Sequence, residues 1–331
     1  MTLPVNKIIC GDCIDIMRTW PDACINCCVT SPPYWGLRDY GVNGQLGLEK
    51  TPEEYVAKMV EVFREVKRVL RKDGTLWLNL GSSYYGGGWK GSCTDLSGTK
   101  QGTNEGTLCG RDLTPDPVHP LFKSKDLVPI PWMVAMALQQ DGWYLRQDII
   151  WNKPNPMPES VTDRCTKAHE YIFLLSKSAK YFYDAEAIKE DSVDEESYVG
   201  RRFRGAKAIV SAVARPSNYK PNTLEYGNEA GAKSWPKRNK RDVWTVTVQP
   251  YKESHFATFP TKLIEPCVLA GCPKDGIVLD PFMGSGTTAV VAYNHGRNYI
   301  GCELNPKYCK LGRVAKAQSH FSLLESGARN D

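Results

Sequence analysis

The run Thr30-Ser31-Pro32-Pro33-Tyr34 sets a hydroxyl, two proline rings and an aromatic ring side by side. Such a turn can hold a planar ring that bears an amino group. The amine's lone pair is normally delocalised into its ring, and acceptors placed around the amine localise it. The Ser31 hydroxyl and the Pro32 carbonyl are such acceptors, since proline frees that backbone from ladder pairing. Pro32 and Pro33 stiffen the turn and so preorganise the acceptors. Tyr34 offers a face for stacking, and Trp35 is a candidate second wall. In isolation an ordinary proline-rich turn would read the same way.

Far downstream lies Asp280-Pro281-Phe282-Met283-Gly284-Ser285-Gly286-Thr287-Thr288. Gly284-x-Gly286-x-x-Ala289 follows a β-prone run and opens a helical one, the G-x-G-x-x-G/A pattern of nucleotide-binding turns. Glycines there let the backbone approach a ligand that a Cβ would exclude. Glu303, seventeen residues after Gly286, ends the next strand-like run, where a carboxylate can accept from both hydroxyls of a ribose. The pattern predicts an adenosine cofactor. A P-loop is excluded, because no lysine stands before Thr287 or Thr288. From this motif alone a nicotinamide-dependent dehydrogenase stays open, as does a purely structural glycine turn.

The elements that must position these residues alternate. Ile25–Thr30 is a β-prone run that stops at the Ser-Pro-Pro turn. Thr51 is a predicted N-cap, with Pro52 at the first helical position and Glu54 completing a capping box. Tyr55, Met59, Val62, Phe63, Val66, Val69 and Leu70 then follow helical spacing, and Asp73-Gly74 is the expected stop. Thr75–Leu80, Asp148–Trp151, Tyr171–Leu175, Ile277–Asp280 and Asn298–Cys302 read as strands, with a helix over Thr287–Asn294. The alternation predicts an α/β protein, a mostly parallel sheet with helices on both faces. Gly81–Gly110, rich in Gly, Ser and Thr, is too long for an ordinary connection and reads as a mobile lid or DNA-facing loop.

The chain has 331 residues, 41% hydrophobic and 24% charged, enough for a large core in an ordinary globular protein. No apolar run is long enough to span a bilayer, and the N-terminus lacks a secretory h-region, so the expected location is cytoplasmic, with no membrane partner. Twelve cysteines include Cys10-x-x-Cys13 and Cys24-x-x-Cys27, a spacing that would suit zinc. Buried strands that use cysteine as a small hydrophobe explain them better, so no metal is expected. His119, His295 and His320 form no triad or ligand pattern.

Net charge is only +5, but Arg201–Arg241 holds eleven basic residues against Glu225 and Glu229, a local +9 that leaves −4 elsewhere. Arg201, Arg202, Arg204, Lys237, Arg238, Lys240 and Arg241 are the candidate phosphate contacts. Tyr219, Tyr226 and Trp235 among them could stack on bases or wedge into a duplex. A solvated basic loop is the plainer alternative.

Together these blocks resemble the β-group of DNA amino-methyltransferases, in which the catalytic tetrapeptide precedes the cofactor motif and target recognition lies between them. The resemblance covers most of the chain and implies a Rossmann-like methyltransferase fold with S-adenosylmethionine as cofactor and double-stranded DNA as substrate. Ser31, Pro32, Pro33 and Tyr34 match the catalytic motif. Asp280, Phe282, Gly284, Gly286 and Thr287 match the cofactor loop, and Glu303 the ribose position. Ile9-Cys10-Gly11-Asp12-Cys13 resembles the N-terminal cofactor motif, implying that Asp12 contacts the adenine amine. His255–Pro266 resembles the segment beside the methionine moiety, with Pro260, Thr261 and Lys262 as implied contacts. Trp151–Pro156 and His169–Phe173 match further blocks without an assigned role.

The implied organisation is a catalytic part at 1–189 with its loop at 81–113, an inserted basic target recognition region at 190–245, a cofactor-binding part at 246–320 and a tail at 321–331. Serine before Pro-Pro favours cytosine N4 within the family, with adenine N6 as the alternative. Cytosine C5 chemistry needs a thiolate nucleophile. The one Pro-Cys pair, Pro266-Cys267, starts an apolar run and reads as core. Dimers and restriction-endonuclease partners occur in the family, although no residue here points to either. A non-catalytic DNA-binding protein on the same shell is the opposing hypothesis, and intact Asp12, Ser31, Tyr34, Gly284, Gly286 and Glu303 argue against it.

Overall fold

The computed structural model describes residues 3–37, 39–85, 119–191, 237–248 and 259–309. The chain divides into two compact units, Met1–Asp184 with Arg241–Asp331, and Ala185–Lys240. The larger is an eight-stranded sheet. Its strands are β1 (Lys7–Cys10), β2 (Ile25–Thr30), β3 (Leu70–Leu80), β6 (Tyr144–Asn152), β7 (His169–Ser176), β10 (Val243–Thr245), β11 (Ile277–Asp280) and β12 (Asn298–Glu303). Their spatial order is β1-β12-β11-β2-β3-β7-β6-β10. β7 runs antiparallel to both neighbours, and every other pairing is parallel.

Parallel strands covered on both faces need apolar side chains pointing both ways, as β2 and β3 have. Leu76, Leu78 and Leu80 join one core with residues of α1 (Cys13–Arg18), α2 (Pro52–Val69) and α3 (Ile130–Gln140). Cys27, Thr75 and Trp77 meet α4 (Thr261–Gly271) instead: a Cβ on Gly271 would lie 2.4 Å from the Trp77 indole nitrogen and 2.8 Å from Cys27 Sγ. α5 (Thr287–Asn294) follows β11, and α6 (Pro306–Cys309) follows β12.

Several local expectations shift. Thr51 caps α2 by accepting from Glu54 N at 3.2 Å, but Glu54 reaches back to Lys50 N, not Thr51 N, at 3.1 Å. α2 stops at Val69 rather than at Asp73-Gly74, because Leu70 already pairs with Ile25 while Arg71–Asp73 bulge outward, exposed. Pro266 lies inside α4 and not at a helix start, with Cys267 buried after it. Cys10 is exposed, contrary to a buried reading, because β1 is an edge strand; Cys13, Cys27 and Cys28 are buried. His119 is organised: its ring lies 5.0 Å from that of Phe122, and Nε2 lies 3.1 Å from Glu53. His295 sits 3.0 Å from Glu265; His255 and His320 lie outside the described residues.

Within 81–113, Ser83–Tyr84 (β4) pairs with Leu127–Val128 (β5), and 86–113 lies outside the described residues. In the smaller unit a 3-10 turn at Glu186–Ile188 precedes β8 (Glu190–Asp191), which pairs antiparallel with β9 (Lys237–Arg238). Arg201, Arg202, Arg204, Tyr219, Tyr226 and Trp235 lie outside the described residues, as do the eleven residues 321–331. The unit ends at Lys240, not 245, since Val243–Thr245 pairs with Ile150–Asn152 in the main sheet. No helix among the described residues is long and apolar enough to cross a membrane.

Candidate active site

The two sequence motifs lie on neighbouring strands. β2 delivers Ser31 and Tyr34, and β11 beside it delivers the glycine loop. β12 ends at Glu303, and β1, paired with it, leads into Gly11 and Asp12. All four therefore open at the carboxyl edge of the sheet, where α/β proteins place ligands. A cavity there is lined by Asp12, Ser31, Pro33, Asp280, Phe282, Gly284, Thr287 and Glu303. The remaining expected residues do not line it. Pro32 is buried, Tyr34 sits behind, Gly286 is the N-cap of α5, and Pro260, Thr261 and Lys262 open α4, with Phe259 in their place on the wall.

The glycine loop owes its shape to backbone conformations closed to most residues. Gly284 has φ +53° and Gly286 φ +90°. A Cβ on Gly284 would meet nothing closer than 3.9 Å, so conformation rather than crowding requires glycine there. Glu303 completes the loop: Oε2 accepts from Gly284 N at 2.8 Å and Oε1 from Asn305 N at 2.7 Å. Burial raises its pKa from the ordinary value, against the backbone N–H donors that lower it. Asp12 caps α1 by accepting from Ile14 N at 2.8 Å and Asp15 N at 3.1 Å through Oδ1.

Asp280 is used inside the protein. Its carboxylate accepts from Thr30 Oγ1 and Thr288 Oγ1, each at 2.6 Å, and from Phe282 N at 3.0 Å. It thereby ties β2 to the glycine loop and to α5. At 1% exposed it pays a desolvation penalty that lifts its pKa to about 6 despite three donors.

The turn after β2 is held from several sides. Tyr55 Oη donates to Pro33 O at 2.8 Å. The Tyr34 ring lies so close to Gly81 that a Cβ there would come within 2.7 Å of it. Tyr34 Oη is 2.7 Å from Glu170 Oε2, 3.0 Å from Asn79 Oδ1 and 3.4 Å from Ser31 Oγ. Burial, then Glu170, pushes the phenol pKa far up, so it stays protonated. Trp35 does not line the cavity: it is buried, with its indole N–H donated to Glu49 O at 3.0 Å.

Sequence reasoning missed Asn79, Glu170 and Lys153 as site residues. Asn79 had a signal, a lone carboxamide in the apolar run Leu76–Leu80. It also missed the lining residues Tyr40, Val42, Gln45, Leu46, Asn305 and Tyr308. Among the described residues no cluster of three or more His, Cys, Asp or Glu is arranged to hold a metal.

The N6/N4 DNA methylase family model matches residues 25–314. The chain belongs to that family. It is 44% identical over 310 residues to the type II methyltransferase M.SmaI of Serratia marcescens, covering 93% of this chain and 89% of that one. To M.Cfr9I of Citrobacter freundii it is 43% identical, covering 91% and 84%. The solved PvuII cytosine-N4-specific DNA methyltransferase shares the fold, with a TM-score of 0.59 at 18% identity, covering 95% of this chain and 86% of that one. So does a modification methylase of Thermus thermophilus, solved with S-adenosyl-L-methionine, with a TM-score of 0.54 at 21% identity over 95% and 94%. The protein is a DNA amino-methyltransferase, and the methyl donor of its family is S-adenosylmethionine.

Proposed function

We propose that this methylase transfers a methyl group to the exocyclic N4 of a cytosine turned out of double-stranded DNA. The observation that carries the reading is that Ser31 and Pro33 line the same cavity as Asp12, Gly284 and Glu303, so amine acceptor and cofactor seat share one space.

The cavity residues fit S-adenosylmethionine, which when bound supplies an electrophilic methyl on a sulfonium. Glu303, oriented by two backbone N–H groups, keeps lone pairs for ribose hydroxyls. Asp12, with Oδ1 committed to its cap, keeps Oδ2 for an adenine amine. Phe259, Phe282 and Leu304 give apolar surface for the ring. Asp280, by contrast, holds the loop in shape.

At the other side of the cavity, the Ser31 hydroxyl accepts from the amine and draws its lone pair out of the ring, while Pro32, which does not line the cavity, stiffens the turn. A neutral hydroxyl is a weaker acceptor than a carboxylate, and serine at this position resembles the cytosine-N4 branch. A base inside a duplex cannot reach such a site, so it must leave the stack, which costs a few kcal/mol. Arg201, Arg202 and Arg204, with Lys237, Lys240 and Arg241, are the proposed phosphate contacts that hold the opened duplex. Arg238 contributes less, because its guanidinium is paired with Glu190 at 2.9 Å. A DNA substrate places the enzyme in the cytoplasm.

The test is methyl transfer from labelled S-adenosylmethionine to several unmodified DNAs, followed by nucleoside mass spectrometry. N4-methylcytosine is the expected product. N6-methyladenine would overturn the choice of base, and no incorporation into any DNA would overturn the reading as a whole.

A further inference from the structure

Behind the catalytic turn lies a charged network that the transfer chemistry above does not use. Glu170 stands at the start of β7, beside the carboxyl end of β3, and Lys153 follows β6. Glu170 Oε2 accepts from the Tyr34 hydroxyl at 2.7 Å and from Asn79 Nδ2 at 3.3 Å, while Lys153 Nζ donates to Oε1. Asn79 Nδ2 also donates to Tyr171 O at 3.0 Å, and Lys153 sits 4.2 Å over the Trp151 ring. The Glu170 and Lys153 side chains are only 14% and 17% exposed.

A charge pair this far from water adds little to stability compared with apolar residues of the same volume. What it does well is fix geometry. A carboxylate acceptor makes a stronger and more directional bond to a phenol than a neutral one does. Gly81 blocks one side of the Tyr34 ring, Tyr55 holds the preceding carbonyl, and Glu170 anchors the far end of the ring. Lys153 in turn prevents the carboxylate from swinging away.

We infer that Glu170, clamped by Lys153 and Asn79, is the positioning residue that fixes the hydroxyl end of Tyr34, and with it the turn, for the transfer step. The inference rests on the reading of Ser31–Tyr34 as the transfer site. Glu170 acts through Tyr34 and touches neither base nor cofactor. Without it the hydroxyl end of the ring is free to pivot about the Cα–Cβ bond, and the turn that receives the base shifts with it. Misplacement of a reacting group by about 1 Å costs about 10²-fold in rate.

The experiment is a double-mutant cycle on the full chain, reading single-turnover transfer to duplex DNA alongside cofactor affinity. It uses Tyr34→Phe, Glu170→Ala, Glu170→Gln and both combinations with Tyr34→Phe. Glu170→Ala is expected to slow transfer by about 100-fold with cofactor affinity unchanged, and Glu170→Gln, which keeps an acceptor, to recover part of that loss. With the hydroxyl already removed by Tyr34→Phe, neither change at Glu170 should cost anything further. Equal fold losses in both backgrounds, or no loss on replacing Glu170 in the native background, would overturn the proposal. If Glu170→Ala does not fold, the Glu170→Gln arm of the cycle decides alone. Failure of the underlying reading is distinguishable, since Tyr34→Ala would then retain turnover.

Discussion

The two sides of the cavity, one proposed to seat the cofactor and the other the base, are built by different means. On the cofactor side the backbone does the work: positive-φ glycines shape the loop, and Glu303 is oriented by two main-chain N–H groups. On the base side side chains do it, with Tyr34 held by partners 45 and 136 residues away in sequence. Backbone sites tolerate drift in their surroundings, because glycine and a strand end suffice to make them. Side-chain sites fail when one distant partner moves. Asp280 is the joint between the two, bonded to Thr30 on one side and Thr288 on the other.

The largest effects are expected at the turn itself. Ser31→Ala and Tyr34→Ala should each lower turnover by about 10²–10³-fold, the size of removing one preorganised polar group at a reacting centre. Steady-state transfer to DNA measures this, and near-normal turnover in either would remove that residue from the chemistry.

The joint should respond to pH. The Asp280 pKa is lifted from an ordinary 3.8 to about 6, so between those values the folded state binds more protons than the unfolded one. Its contribution to stability is therefore fully present below about pH 4 and is lost as pH rises through 6, by up to ~3 kcal/mol. Denaturant titrations of wild type and Asp280→Asn across that window should show the difference between them shrinking with rising pH. A constant difference would mean that Asp280 keeps an ordinary pKa.

On the cofactor side, Glu303→Gln should weaken S-adenosylmethionine binding by about 1.5–3 kcal/mol, the worth of hydrogen bonds to a charged acceptor. Calorimetric titration checks it, and the rate at saturating cofactor should change far less than the affinity. The smallest effect is expected away from the cavity. Neutralising Arg201, Arg202 and Arg204 should lower the slope of log affinity against log salt by about 0.9 for each phosphate no longer neutralised. An unchanged slope would move the DNA surface elsewhere.

The same contrast explains what could be read from the sequence. Gly284, Gly286 and Glu303 were legible because a backbone site compresses into a short string with fixed offsets. The Ser31–Tyr34 turn is a contiguous string too, although the side chains that hold it are not. Glu170 and Lys153 sat inside blocks already matched to the family, yet their roles were hidden. Only the pairing of β7 with β3 and β6 brings them to Tyr34. Trp35 misled by adjacency, since a residue next to a site in sequence can point into the core. In the segment read as cofactor contacts, Phe259 reaches the cavity wall, and Pro260–Lys262 open α4 beside it. The sheet was legible in its alternation, whereas the reversed β7 and the edge strand β10 depend on pairings that periodicity does not encode.

If the two sides are separate in the way described, removing the base-side ring must leave the cofactor side intact. The most direct measurement is calorimetric titration of Tyr34→Ala with S-adenosylmethionine, beside the wild type. Both should bind with the same affinity, although the variant no longer transfers methyl groups at a useful rate. A tenfold or greater loss of affinity, about 1.4 kcal/mol, would contradict it and make Tyr34 part of the cofactor seat.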